Sequence, residues 1–181
     1  MFRAIYKFIF RIWGWRIEGG VPDDLPKYVL IAAPHTSMWD FLVGLCVRSI
    51  LRLDTLYVAK KELFRFPLGI FMRATGGYPV DRGKAGRGTD AIAELFEDKE
   101  RFSICITPEG TRRKVEEWKT GFWYVARKAQ VPIVMVSFNF KTKVVEFLEL
   151  FYPTDDIDRD METIKSYYRT IPGKRPDLGV E

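Results

Sequence analysis

Short apolar runs and amphipathic stretches alternate along most of the chain from residue 27 onward. The apolar runs have the length of buried strands and are bounded by glycine, proline and polar turn residues, whereas the intervening stretches repeat apolar residues at helical spacing. The predicted strands are 27–33, 55–59, 76–80, 101–107, 131–140 and 143–150. The predicted helices are 39–53, an interrupted 61–74, 86–99 with Thr89 as its cap, 120–130 and 156–170. This alternation predicts a single α/β domain with a central, mostly parallel or mixed sheet flanked by helices.

The opening stretch MFRAIYKFIFRIWGW predicts an amphipathic helix over residues 1–15. On a helical wheel Arg3, Lys7 and Arg11 share one narrow arc, and apolar side chains cover most of the remaining circumference. Two placements fit this pattern: the helix lies in a membrane interface with its cations at the headgroups, or it docks its wide apolar face on the core of the domain. We therefore expect a membrane-surface helix and linker over residues 1–20 and the main domain over residues 21–181.

Composition limits the expected cellular compartment of the protein but does not decide its function. The 181 residues carry 29 Lys and Arg against 24 Asp and Glu, and a net charge of +5 suits nucleic acid, anionic lipid or a phosphorylated substrate equally well. The two cysteines, Cys46 and Cys105, have no CxxC or metal-ligand spacing, which predicts buried thiols in a reducing compartment. No apolar run reaches the roughly 18 to 20 residues of a membrane-spanning helix, and no cleavable signal pattern is present. We expect a cytoplasmic protein, soluble or bound to a membrane surface.

The single histidine, His35, lies in the stretch IAAPHTSMWDF, five positions before Asp40. In a continuous helix these side chains would diverge, so they meet only if His35 stands in a strand-to-helix turn, which Pro34 favours. Ser37 and Asp40 also have capping-box spacing, so Asp40 is either a cap or the group that orients His35 as a general base. The pair suits activation of a substrate hydroxyl or amine better than a covalent mechanism through Ser37 or Cys46.

Two further turns follow predicted strands, where ligands collect in open α/β sheets. GGYPVDRGK presents Gly76, Gly77 and Arg82, and ITPEGTRRK presents Glu109, Gly110, Thr111 and Arg112. Glycines let backbone amides approach an anion, and a guanidinium can grip a phosphate with two hydrogen bonds. Neither turn matches a Walker loop or a dinucleotide fingerprint, so both remain either anion-binding turns or ordinary solvated ones.

Taken together, the segments resemble the glycerolipid acyltransferase family, which includes the 1-acyl-glycerol-3-phosphate (lysophosphatidic acid) acyltransferases. HTSMWD is similar to the family's HxxxxD block, GGYPVDR to its glycine-to-arginine block, PEGTRR to its EGTR block and VPIVMV to its later proline block. The blocks occur in the family's order, and WKTGFWYVARKAQ resembles the helix that links the last two. The likeness spans about residues 28 to 140.

The resemblance implies an acyltransferase fold and an activity in phospholipid synthesis. A fatty acyl group would pass from acyl-CoA or acyl carrier protein to a hydroxyl of a lysophospholipid-like acceptor, such as 1-acyl-glycerol-3-phosphate, on the cytoplasmic face of a membrane. His35 would be the general base and Asp40 its orienting partner, without metal or cofactor, while Arg82 would contact the acceptor phosphate beside the turn formed by Glu109, Gly110, Thr111 and Arg112. Two alternatives are an acceptor that carries an amine or lacks phosphate, and a non-catalytic basic module that binds membranes or nucleic acid.

Overall fold

A computed structural model describes residues 2–80 and 87–180 of the protein. The α-helices are α1 Phe2–Ile12, α2 Met38–Leu51, α3 Leu68–Ala74, α4 Arg87–Glu97, α5 Gly121–Ala129 and α6 Ile157–Tyr168. The strands are β1 Arg16–Glu18, β2 Lys27–Ala33, β3 Leu56–Lys60, β4 Gly77–Val80, β5 Phe102–Ile106, β6 Ile133–Asn139 and β7 Val144–Phe151. Short 3-10 helices occupy Lys61–Phe64 and Pro176–Leu178.

Within the described residues the strands form one seven-stranded sheet in the order β1-β7-β6-β2-β5-β3-β4. The pairing of β6 with β7 is antiparallel, and the other pairings are parallel. Strand β2 lies between β5 and β6, with Leu30 opposite Cys105 on one side and Ile31 opposite Met135 on the other. The predicted single α/β domain with a mixed, mostly parallel sheet is therefore confirmed.

Each face of the sheet carries its own hydrophobic core. Alternate residues of β2 point to opposite faces, as the period of a strand requires, so Ile31 belongs to one core and Leu30 to the other. Helices α4, α5 and α6 cover the first face, and α1 and α2 cover the second. Because both faces are covered, β2 is an almost continuous apolar run, which is the pattern of a buried parallel strand.

The structure departs from the predicted elements at three places. Residues 16–18, predicted as linker, form β1 and pair in parallel with β7; three residues are too few to show a periodic signal. The interrupted helix over 61–74 is a 3-10 turn followed by α3, with Pro67 between them. Thr89 lies inside α4, which already begins at Arg87, so Thr89 is not its N-terminal cap.

The N-terminal helix α1 docks one face on the domain and leaves other apolar side chains exposed, so its predicted place in a membrane interface stays a prediction. Phe10 is buried in the core beneath α2, so one face docks on the domain. The head group of Arg3 also turns toward the domain, because its Nε donates to the carbonyl oxygen of Ile50. Ile5 and Phe8 on the opposite face remain exposed. Among the described residues, no helix is both long and apolar enough to cross a membrane.

Candidate active site

The turn between β2 and α2 brings His35 and Asp40 together. Ser37 is the N-terminal cap of α2, and its Oγ accepts a hydrogen bond of 3.1 Å from the main-chain N–H of Trp39. Asp40 completes the capping box: its Oδ2 accepts from the main-chain N–H groups of Thr36 and Ser37, each at 2.8 Å. The turn that precedes the helix therefore holds the carboxylate through two main-chain hydrogen bonds.

The same carboxylate oxygen faces the histidine. Nδ1 of His35 lies 3.1 Å from Oδ2 of Asp40, and the aspartate is only 2% exposed. Capping and orientation, which the sequence left as alternatives, therefore coexist on one oxygen atom. With Nδ1 directed at the carboxylate, Nε2 is the ring nitrogen left for proton transfer. This is the arrangement of a general base held in one tautomer by an acidic partner.

Glu109 supports the main chain of the histidine rather than facing the open site. Its Oε1 accepts a hydrogen bond of 2.8 Å from the main-chain N–H of His35, and the side chain is buried. Burial raises the pKa of Glu109, while the hydrogen bond from His35 acts in the opposite direction. Its second oxygen, Oε2, is buried without a hydrogen-bond partner in the described part of the chain. Sequence reasoning assigned Glu109 to the acceptor, and this geometry favours a positioning role instead.

A cavity of about 870 Å³ opens beside His35 and extends between α2 and the sheet. This volume is that of a pocket for a ligand of drug size or larger. Much of its wall is apolar, and it includes Leu30, Ala32, Phe41, Leu45, Val136 and Phe138. Gly44 of α2 also lines it, where the lack of a side chain keeps the space beside Phe138 open. The cavity thus joins a polar catalytic end to a long apolar interior.

Cationic side chains gather in the wall of this cavity. Gly110, Thr111 and Arg112 line it and Glu109 does not, while the predicted contact of this turn with the acceptor stays a prediction. Gly110 adopts a φ of +61°, and a Cβ there would lie 3.0 Å from the Lys119 side chain, so this turn is built around glycine. Arg82 lies outside the described residues.

Sequence reasoning missed three contributors to this site. Lys60 and Lys119 also line the cavity and add positive charge to its wall. The resemblance of WKTGFWYVARKAQ to a family helix was a signal for Lys119, whereas Lys60 has no local signal. The third is Gly173, at which a Cβ would lie 2.8 Å from the hydroxyl oxygen of buried Thr36, so the C-terminal segment braces the histidine turn from far along the chain.

The other candidate nucleophiles are poorly placed. The Ser37 hydroxyl is engaged in the capping box, where it also donates to Oδ1 of Asp40 at 3.2 Å. Burial raises the pKa of Cys46, and it raises the pKa of Cys105, in the cavity wall, to about 12. Both therefore remain neutral thiols near pH 7, which makes them weak nucleophiles. The described geometry leaves His35 to activate a nucleophile brought by the substrate.

The fold and the site together define an α/β protein with a histidine–aspartate pair in the turn after a central parallel strand. The sequence profile of the family Acyltransferase matches residues 17–139, and the chain belongs to this family. The resemblance seen in the sequence is thus confirmed.

Individual relatives agree with this membership. The chain is 32% identical over 133 residues to the 1-acyl-sn-glycerol-3-phosphate acyltransferase of Escherichia coli (strain K12), covering 69% of this chain and 53% of that protein. It is 33% identical over 135 residues to the human 1-acyl-sn-glycerol-3-phosphate acyltransferase beta, covering 70% and 48%. The chain thus spans about half the length of these curated relatives.

A solved structure shares the fold. It is the crystal structure of the 1-acyl-sn-glycerophosphate (LPA) acyltransferase PlsC from Thermotoga maritima, which matches with a TM-score of 0.66. The match covers 91% of this chain and 74% of that one at 18% sequence identity, so it shows the fold alone.

Proposed function

We propose that this chain is an acyltransferase that moves a fatty acyl group from a thioester, acyl-CoA or acyl carrier protein, to a hydroxyl of 1-acyl-glycerol-3-phosphate, on the cytoplasmic face of a membrane. The observation that carries the proposal is the His35–Asp40 pair at the polar end of a large apolar cavity. A lipid acyl chain is the kind of ligand that such an interior suits, because burying each methylene contributes about 0.8 kcal/mol. The names of the bacterial and human relatives favour the same acceptor.

The reaction needs one proton transfer and one acyl transfer. Nε2 of His35 takes the proton from the acceptor hydroxyl as that oxygen attacks the thioester carbonyl carbon. A carbon–oxygen bond forms, the carbon–sulfur bond breaks, and the thiolate leaves with the bonding electron pair. The imidazolium then returns its proton to the thiolate. The Asp40 carboxylate, 3.1 Å from Nδ1, stabilises the imidazolium while it exists.

The first glycine of each glycine-containing turn uses its main-chain N–H in a hydrogen bond within the chain. The N–H of Gly110 donates to the carbonyl oxygen of Thr107 at 3.0 Å, and the N–H of Gly76 donates to that of Arg73 at 3.1 Å. Stabilisation of the tetrahedral oxyanion is therefore assigned to other donors around the cavity, of which the cationic Lys119 and Arg112 are candidates. The same cations suit an acceptor that carries a phosphate, and Arg82 is proposed as its further contact.

The test is an acyl-transfer assay with the full chain and its His35→Ala variant. Acyl-CoA and acyl carrier protein are each paired with 1-acyl-glycerol-3-phosphate, monoacylglycerol, an amine-containing lysolipid and glycerol 3-phosphate, and products are identified by mass spectrometry. We expect diacylated phosphate product, and a loss of roughly 10²- to 10⁴-fold in His35→Ala, because the sequence contains no second histidine. Thermal melting confirms that the variant is folded.

Three results would count against the proposal. Preference for the amine or the non-phosphorylated acceptor would change the substrate but keep the chemistry. Near-wild-type turnover by a folded His35→Ala protein would reject the general base. Absence of transfer from both donors to every acceptor would favour a non-catalytic module.

A further inference from the structure

The segment 61–71, which contains the 3-10 turn and the start of α3, exposes a dense group of large apolar side chains. Phe66 is 86% exposed and Ile70 is 66% exposed, values far outside those of core residues. The other exposed apolar members are Leu63, Leu68 and Phe71. A group of neighbouring apolar side chains exposed on a protein surface indicates an interaction site, whereas single exposed apolar residues do not.

This exposure belongs to an ordered structure. Phe64 and Met72 are buried in a small core of their own beneath the segment. Gly69 packs so closely on the turn that a Cβ there would overlap the carbonyl oxygen of Phe64. Nη1 of Arg73 donates to the carbonyl oxygens of Phe64 and Gly69, at 3.1 and 3.3 Å. The segment is therefore held in place while its outer side chains point to solvent.

The segment also borders the mouth of the active-site cavity. Leu63, Leu68 and Phe71 line the cavity, and so does Met38, which follows the histidine turn. Phe66 and Ile70 do not line it, so their exposure is not part of substrate binding inside the cavity.

The apolar surface continues toward the N-terminal helix on the other side of the histidine turn. Trp39, beside Met38, is exposed and packs edge to face on Trp13, just after α1, with ring centroids 5.6 Å apart. Helix α1 in turn exposes Phe8 and Ile12. Exposed apolar groups therefore directly follow the catalytic turn and continue onto α1.

The exposed charges in and next to the segment are mostly positive. Lys60, Lys61, Arg65 and Arg73 are exposed in and next to it, against a single acidic residue, Glu62. Aromatic and aliphatic side chains interleaved with cations match the boundary of an anionic bilayer, where apolar groups enter the acyl region and cations stay at the headgroups.

We propose that segment 61–71 inserts into an anionic lipid bilayer and, with α1, holds the cavity mouth against the membrane. This inference goes beyond the proposed function. It rests on that function only in its purpose, because the contact would let the acceptor lipid enter the cavity from the bilayer. Binding itself needs no substrate.

The first experiment measures insertion at one position. The Phe66→Cys protein is labelled with an environment-sensitive fluorophore and mixed with vesicles of phosphatidylglycerol and phosphatidylcholine. Both native thiols are poorly reactive, because Cys46 is buried and burial also raises the pKa of Cys105. The matched control is Tyr152→Cys, which is 64% exposed. Tyr152 follows β7, which is antiparallel to β6, so it lies at the end of the strands opposite to the end that His35 follows.

We expect a blue shift at position 66, and quenching by lipids that carry a nitroxide in the acyl chain. The label at position 152 should show neither. An unshifted label at position 66 on vesicle-bound protein would overturn the proposal. A blue shift at position 66 that requires acyl carrier protein would also overturn it. So would a blue shift that appears without lipid, when two copies of the chain associate.

The second experiment separates membrane contact from chemistry. Phe66→Ser with Ile70→Ser should weaken partition into the same vesicles by about tenfold or more, because each side chain would lose apolar burial. Tyr152→Ser should leave partition unchanged. Turnover of a short-chain acceptor in free solution should stay at the wild-type level, while turnover of vesicle-embedded acceptor falls. Equal partition of the double variant and the wild type would reject the proposal, whether or not the chain proves to be an acyltransferase.

Discussion

Asp40→Asn tests whether the charge of the aspartate, rather than its shape, supports the chemistry. Oδ2 accepts from the N–H groups of Thr36 and Ser37 and also faces Nδ1 of His35. The side-chain carbonyl oxygen of an asparagine can make the same three contacts as Oδ2, because it can accept from both N–H groups and from Nδ1 of His35. Its amide nitrogen then replaces Oδ1, 3.2 Å from the Ser37 hydroxyl, which can accept a hydrogen bond. The capping geometry therefore orients the asparagine so that the histidine tautomer is kept, and only the negative charge is removed.

The magnitudes differ for stability and for catalysis. Three hydrogen bonds to the charged carboxylate, from the N–H groups of Thr36 and Ser37 and from the Ser37 hydroxyl, are replaced by neutral ones, which should lower the free energy of unfolding by about 1 to 2 kcal/mol in total. For the imidazolium, the attraction of a full charge at 3.1 Å is roughly 1.3 kcal/mol in water and about 5 kcal/mol at an effective dielectric constant of 20. His35 is partly exposed and Asp40 is buried, so the loss should fall between these limits. We expect the rate to fall by about 10²- to 10³-fold.

The assay compares initial rates of acyl transfer with thermal unfolding for two variants. Ser37→Ala is the matched control, because it removes the capping hydroxyl, at a cost of roughly 1 kcal/mol, and leaves the His35–Asp40 contact. Asp40→Asn and Ser37→Ala should therefore lose similar stability, but only Asp40→Asn should lose most of its activity. Equal activity of the two folded variants would refute the electrostatic role of Asp40 and leave it as a cap.

Two further changes test the surroundings of the pair. Burial raises the pKa of Glu109 above its usual 4.5, so its contribution to stability is fully present below the unfolded-state pKa and is lost as pH rises through the folded-state pKa. Glu109→Gln does not titrate, so the melting temperature of the wild type should fall relative to this variant as pH increases from about 4 to 8, and a constant difference across that range would contradict the assignment. Gly44→Leu should fill the apolar cavity beside Phe138, where a Cβ lies 3.8 Å from the ring, and reduce turnover of long acyl thioesters by about tenfold or more relative to short ones. Leucine is the better helix former, so α2 should not unfold, and an unchanged chain-length profile would exclude the cavity as the acyl site.

The elements that sequence reasoning predicted well carry continuous local signals. Strand β2 occupies 27–33 as predicted, because a fully buried parallel strand is an uninterrupted apolar run with clear boundaries. Helix α2 begins within one residue of its predicted start, since Ser37 and Asp40 form a recognisable capping box. Strand β1 was missed because three residues cannot display periodicity, and its pairing with β7 joins residues more than a hundred positions apart.

The candidate site likewise has one part that the sequence predicts and another part that it does not. The His35–Asp40 contact follows from a short stretch of sequence, because both groups belong to one turn. The inward position of Glu109 does not, since the hydrogen bond to the His35 main chain joins two separate strand ends across the sheet. Burial decides whether a carboxylate meets substrate or backbone, and burial depends on packing that a motif alone does not encode. The cavity and the exposed segment 61–71 are likewise products of how α2, α3 and the sheet edges meet.

The spacing of four residues between the histidine and the aspartate follows from this turn. Asp40 is the third residue of α2, the position from which a carboxylate reaches back to the N–H of the cap, Ser37. The histidine stands two residues before the cap, in the turn that follows β2, and its imidazole faces the carboxylate of Asp40. One residue fewer would take the histidine into the capping turn, and one more would move the carboxylate to the next position around the helix, about 100° away. The helix N-terminus thus supplies a fixed, buried carboxylate, and the histidine two residues before the cap lies within reach of it.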